Sequence, residues 1–168
     1  MKLANIISVF PLLYFGISFV SIIIKYVTKV NIVRNAIHLY GLLLSTFTAA
    51  FMKLFVSYPL WFHEYTKRPL DARDCDYFSS NGFKGGDPGF PSGHMTSTSY
   101  VVMYNILYLL QKKTFFYIPI ISLNIVLVII MGWARIIKKC HNFVQVIGGI
   151  ILGSIMAYYF YNIKIDLS

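Results

Sequence analysis

Three short stretches of the chain carry residues that can bind and transfer a phosphoryl group. They are Lys67-Arg68-Pro69, Pro91-Ser92-Gly93-His94, and the set Arg135, His141 and Gln145. Arginine presents a planar fork of donors that matches the oxygens of a phosphate. A serine followed by a glycine opens a helix well, and the glycine lets another group approach the backbone. The start of a helix exposes N–H groups and the positive end of its dipole, which together attract an anion. His94 would sit in that first turn, within reach of a bound phosphate oxygen. Gln145 falls one helical turn after His141, so the two share a face. A histidine held at one ring nitrogen keeps the other aimed as a nucleophile or base. The parts fit phosphoryl transfer to a histidine: cations neutralise the phosphate, one histidine attacks and another protonates the leaving oxygen. Taken singly, each residue has a plainer reading as a helix cap, an interfacial base or a loop histidine.

The elements that must position these residues are membrane helices. Apolar residues make up 57% of the 168-residue chain and charged residues only 12%, about half the charged share of a soluble domain. The surface must therefore face lipid. The charge of +9 sits in short clusters between apolar runs, with no basic stripe interleaved with aromatics, so nucleic acid is not the expected partner. The apolar runs predict spanning helices at about 3–24, 36–62, 95–110, 115–134 and 143–163. The first is read as an uncleaved span rather than a signal peptide, because Ile22-Ile23-Ile24-Lys25 is no small-residue cleavage site. Pro59 is expected to kink or end the second. The fold class is all-α: a single domain, 1–168, forming an integral membrane bundle of about five transmembrane helices. Five spans place the loops 63–93 and 135–141 on one side, and both arginines and both histidines with them. The reading leans to an extracytoplasmic face for these loops. Gly149-x-x-x-Gly153 allows close helix packing, expected within the bundle. Two cysteines, Cys75 and Cys140, make no disulfide framework and no zinc spacing. Asp71, Asp74 and Asp76 read as a solvated loop face, not as a metal site.

These motifs resemble the type 2 phosphatidic acid phosphatase superfamily, which includes vanadium haloperoxidases and glucose-6-phosphatase. Its signatures are K-x6-R-P, P-S-G-H and S-R-x5-H-x3-D. The chain shows Arg68-Pro69, an intact Pro91-Ser92-Gly93-His94, and Arg135 followed by His141 at the family spacing. The resemblance runs from about 61 to 149 and implies a helical membrane bundle. It implies His141 as the nucleophile that forms a phosphohistidine and His94 as the general acid. Arg68, Arg135 and the backbone of Ser92 and Gly93 fall on its phosphate-binding positions. Three positions depart from the pattern: Trp61 replaces the lysine, Ala134 the serine and Gln145 the aspartate. Lys67 or Lys138 could supply the missing charge, with Lys67 the nearer candidate. Gln145-Val146 with Gly148-Gly149 is similar to the dolichyldiphosphatase branch, where glutamine holds this position. The loop from Arg68 to His94 also resembles members found in large DNA viruses.

The function expected is metal-independent dephosphorylation of a membrane lipid phosphate or lipid pyrophosphate. The catalytic residues are His141, His94 and Gln145; the phosphate-binding residues are Arg68, Arg135, Ser92, Gly93 and Lys67. No cofactor and no metal is implied. The partners are the lipid substrate and the membrane, here the endoplasmic reticulum or another host membrane. Trp61 and Gln145 motivate the alternative, a catalytically impaired relative that binds lipid phosphates or acts as a membrane scaffold. A vanadate-dependent oxidase is disfavoured because haloperoxidases are soluble.

Overall fold

The computed structural model describes residues 2–27, 33–57, 63–75, 82–113 and 115–163. It is an all-α membrane bundle. The helices are α1 (Lys2–Ser8), α2 (Phe10–Val27), α3 (Val33–Phe51), α4 (His63–Thr66), α5 (Gly93–Lys112), α6 (Tyr117–Ile137) and α7 (Phe143–Tyr161), with a π-helical segment at Met52–Ser57 after α3. Among the described residues, four segments are long and apolar enough to cross a membrane: Leu3–Ile24, Val33–Phe55, Tyr117–Ile137 and Phe143–Tyr161. Their outer faces expose large apolar side chains such as Ile17, Phe47, Ile129 and Ile155, as a lipid-facing surface requires.

The expected span at 95–110 differs from the other four. α5 is the helix enclosed by the rest, packed against α7 above all and also against α6 and α3. Every residue from His94 to Val102 is buried, so α5 has no lipid face there and needs none of the apolarity that a lipid-facing helix needs. Two of its hydroxyls are satisfied close by: Thr96 and Ser97 donate back to the carbonyls of Ser92 and Gly93, and Ser97 meets Thr46 of α3 at 3.0 Å, whereas the buried hydroxyls of Thr98 and Ser99 have no hydrogen-bond partner among the described residues. Two glycines let α7 approach closely. A Cβ at Gly149 would meet the Ser92 carbonyl at 2.7 Å, and one at Gly153 would meet the Thr96 carbonyl at 2.2 Å. The small-residue pair thus packs inside the bundle.

The first apolar run is interrupted at Val9. Pro11, two residues on, has no N–H to return to the carbonyl four residues back. α1 then packs on α6 and brings Ser8 to Arg135 at the end of that helix. The second run leaves α-helical geometry at Met52; Pro59 and Trp61 lie outside the described residues. Between α4 and α5 the polar loop doubles back as an antiparallel ribbon with bridges Lys67 to Pro88 and Arg73 to Phe83. Arg68 N–H donates to the Asp87 carbonyl at 2.9 Å and Lys84 N–H to the Ala72 carbonyl at 2.8 Å. The loop is therefore a built element with Arg68 in its body.

Cys75 and Cys140 form a disulfide with Cα atoms 5.4 Å apart. One bond between two cysteines is no disulfide framework, yet it ties two distant segments together. The number of cysteines carried no pairing signal, and only the fold brings the ribbon against the α6–α7 turn. Asp71 pairs with Lys139 of that turn, and Asp74 accepts from the Gly82 N–H at 2.9 Å. Both serve the loop itself.

Candidate active site

The site forms where the ribbon, the α5 N-terminus and the α6–α7 turn meet. His141 precedes α7 and is 2% exposed. Asn142 caps α7 in a reciprocal box with Gln145, its side chain accepting from the Gln145 N–H at 3.0 Å. This cap fixes Gln145 below His141, and His141 Nδ1 lies 2.9 Å from Gln145 Oε1. The orientation of the amide is settled by its other end. Gln145 Nε2 donates to the carbonyls of Lys67 at 2.6 Å and Tyr65 at 3.1 Å. Those carbonyls only accept, so Oε1 must face the imidazole, and Nδ1 must carry the hydrogen. Nε2 of His141 then holds the lone pair. Gly89 leaves room for this amide, since a Cβ there would meet Oε1 at 2.5 Å.

Cations surround both histidines. Burial pushes the His141 imidazole well below its ordinary range, the charges of Arg135, Arg68 and Lys53 push it the same way, and the bond to Gln145 pulls it partly back. Burial likewise lowers His94, followed by Arg135, Lys53, Lys138 and Arg68. A bound phosphate would reverse that field and favour a protonated His94.

The arginines are held by main-chain carbonyls beside the disulfide. Arg135 is fully buried, with Nη2 donating to the Cys75 carbonyl at 2.7 Å and Nη1 to Ser8 Oγ at 3.1 Å. Arg68 Nη1 reaches the Cys140 carbonyl at 3.5 Å. At the start of α5, Ser92 has extended backbone but makes no side-chain cap bond, unlike the expected serine cap. Its N–H donates to the Gln145 carbonyl at 3.0 Å, so the backbone donor expected for phosphate is already used. The Ser92 hydroxyl is fully buried and has no hydrogen-bond partner among the described residues. That hydroxyl, with the Gly93 end of α5, is what this segment offers an anion.

The structure therefore gathers His141, His94, Gln145, Arg68, Arg135, Ser92 and Gly93. Lys67 is placed differently: its side chain is exposed, and its carbonyl is what the site uses. Sequence reasoning passed over Lys53 and Ser8. Lys53 stood in an apolar run and was taken only as an interruption, although a charge within a span is itself a functional signal. Ser8 carried no such signal.

Fold and site together define a membrane protein with a cluster of histidines and arginines at one end of its helices. A family model described as PAP2 superfamily matches residues 35–167. The chain belongs to this superfamily, which supports phosphatase activity on a phosphate-containing substrate. No curated protein and no solved structure matches the chain.

The depressed His141 has a consequence for pH. Its neutral form should persist below the ordinary histidine pKa of about 6.5, so the acid limb that reports His141 in kcat/KM should fall below that value. An imidazole harder to protonate folded than unfolded contributes stability above about pH 6.5, lost as pH falls towards its folded pKa. A limb that reports His141 above pH 6.5 would contradict the burial of the site.

Proposed function

We propose that the chain removes phosphate from a membrane lipid phosphate or lipid pyrophosphate through a phosphohistidine on His141. The observation that carries this reading is the amide of Gln145, which presents an imidazole with its Nε2 lone pair among cations. Nε2 attacks phosphorus, the bond from phosphorus to the leaving oxygen breaks, and His94 gives that oxygen a proton. Water then attacks the phosphohistidine and gives a proton to the now neutral His94, the P–N bond breaks, and inorganic phosphate leaves. Arg68, Arg135, the Ser92 hydroxyl and the α5 N-terminus stabilise the charge that builds on the equatorial oxygens. A lipid substrate is favoured because the site lies at the end of helices whose outer faces are apolar. The Gln145 pattern supports a diphosphatase of the dolichyl or polyprenyl kind. The disulfide beside the site supports an oxidising, extracytoplasmic compartment for this end of the bundle.

The test is phosphate release by purified protein from phosphatidate, sphingosine phosphate, polyprenyl diphosphate and dolichyl diphosphate. Release should persist in excess EDTA and be inhibited by vanadate, which imitates the five-coordinate phosphoryl species. Loss with EDTA and recovery with Mg²⁺ would point to another apparatus. Binding of these lipids without any release would favour the impaired, lipid-binding relative.

A further inference from the structure

We infer that Lys53 is a phosphate-binding cation of this site and takes the place of the lysine that the family pattern puts at Trp61. The inference rests on the phosphatase reading above and deepens it.

Lys53 lies in the π-helical segment Met52–Ser57 that follows α3. π-helical turns inside membrane or soluble helices often mark functional positions. The Lys53 ammonium reaches the α5 N-terminus: a Cβ built on Gly93 would lie 3.4 Å from its Nζ. This is the helix end where the Ser92 hydroxyl is buried with no hydrogen-bond partner among the described residues. Lys53 also lines a groove of about 350 Å³ together with Arg68 and Lys84. Its charge acts on both histidines, as do those of Arg68 and Arg135. Lys138 adds its charge at His94, and the Lys67 side chain is exposed. Of the three lysines, only Lys53 meets the anion end of α5, the arginine groove and both catalytic imidazoles. A phosphate seated between them would take a third cationic contact from Lys53 Nζ. The plainer account is a lysine that extends along the span to reach polar surroundings. It explains a charge at a helix end but predicts no effect on turnover.

The test compares Lys53→Met, Lys53→Arg, Lys67→Met and Lys138→Met in the full chain, with His141→Ala as the control for the reaction. One readout is kcat/KM for phosphate release from the best lipid of the panel. The other is direct binding of orthovanadate, which needs no turnover. Lys53→Met should lose about tenfold or more in kcat/KM and weaken vanadate comparably, as removal of one transition-state donor does. Lys53→Arg should recover part of both, and Lys67→Met and Lys138→Met should each lose less than Lys53→Met. If Lys53→Met does not purify as a folded protein, Lys53→Gln carries the comparison. Parent-like vanadate binding and kcat/KM in the Lys53 variant, with His141→Ala inactive, overturns the inference and leaves the phosphatase reading standing. Activity in His141→Ala overturns the reading itself. In that case vanadate binding still decides whether Lys53 holds a phosphate-like anion.

Discussion

Replacing His141 by alanine should reduce phosphate release to background, a loss of about 10⁴-fold or more if the imidazole is the nucleophile. The substitutions at Gln145 should then separate orientation from chemistry. An amide in place of a carboxylate would be harmful if its nitrogen faced the histidine, because that selects the wrong tautomer. Here the nitrogen is engaged by the Lys67 and Tyr65 carbonyls, and the oxygen faces Nδ1. Gln145→Glu keeps the shape but turns an anionic oxygen towards two carbonyls. It should lower both activity and stability, because two donated bonds become two repulsions in a buried setting. Gln145→Ala should cost less activity than His141→Ala, since the imidazole remains and only its aim is lost. Phosphate release and thermal unfolding of the three variants give the ordering. A Gln145→Glu protein as active and stable as the parent would mean that the amide is not what orients His141.

Loss of the Cys75–Cys140 bond should be the largest change in stability. The bond spans 65 residues, and loop closure of that length is worth roughly 4 kcal/mol on the chain-entropy account. Its position ties stability to the site. Cys75 offers the carbonyl that Arg135 binds, and Cys140 offers the one nearest Arg68 and directly precedes His141. A Cys75→Ser, Cys140→Ser double variant, or the parent under strong reductant, should unfold at lower temperature and lose turnover in parallel. Alkylation of the unreduced, denatured parent should label neither cysteine. Labelling of both would show that the bond is not made.

Much of this protein was legible in its residues. Long apolar runs with few charges can only be helices facing lipid, because the bilayer leaves no other partner for the backbone. Pro91-Ser92-Gly93-His94 and the spacing from Arg135 to His141 and Gln145 put the reactive groups at helix ends, where chain geometry exposes them. The one-turn spacing of His141 and Gln145 foretold their contact, because it is local.

What depends on contacts between distant segments was decided by the tertiary structure alone. No local pattern says that Cys75 meets Cys140, that Arg135 is held by Ser8 and the Cys75 carbonyl, or that the Gln145 amide is turned by carbonyls near position 66. The enclosure of α5 is of the same kind. Its serines and threonines make it the least apolar of the long helices, yet it lies at the centre. A helix covered by other helices answers to their hydroxyls and glycines, whereas an outer helix answers to lipid. Lys53 shows the limit most plainly. In sequence it is one charge in an apolar run, and only the fold brings its ammonium to the start of α5, where its charge acts on both histidines.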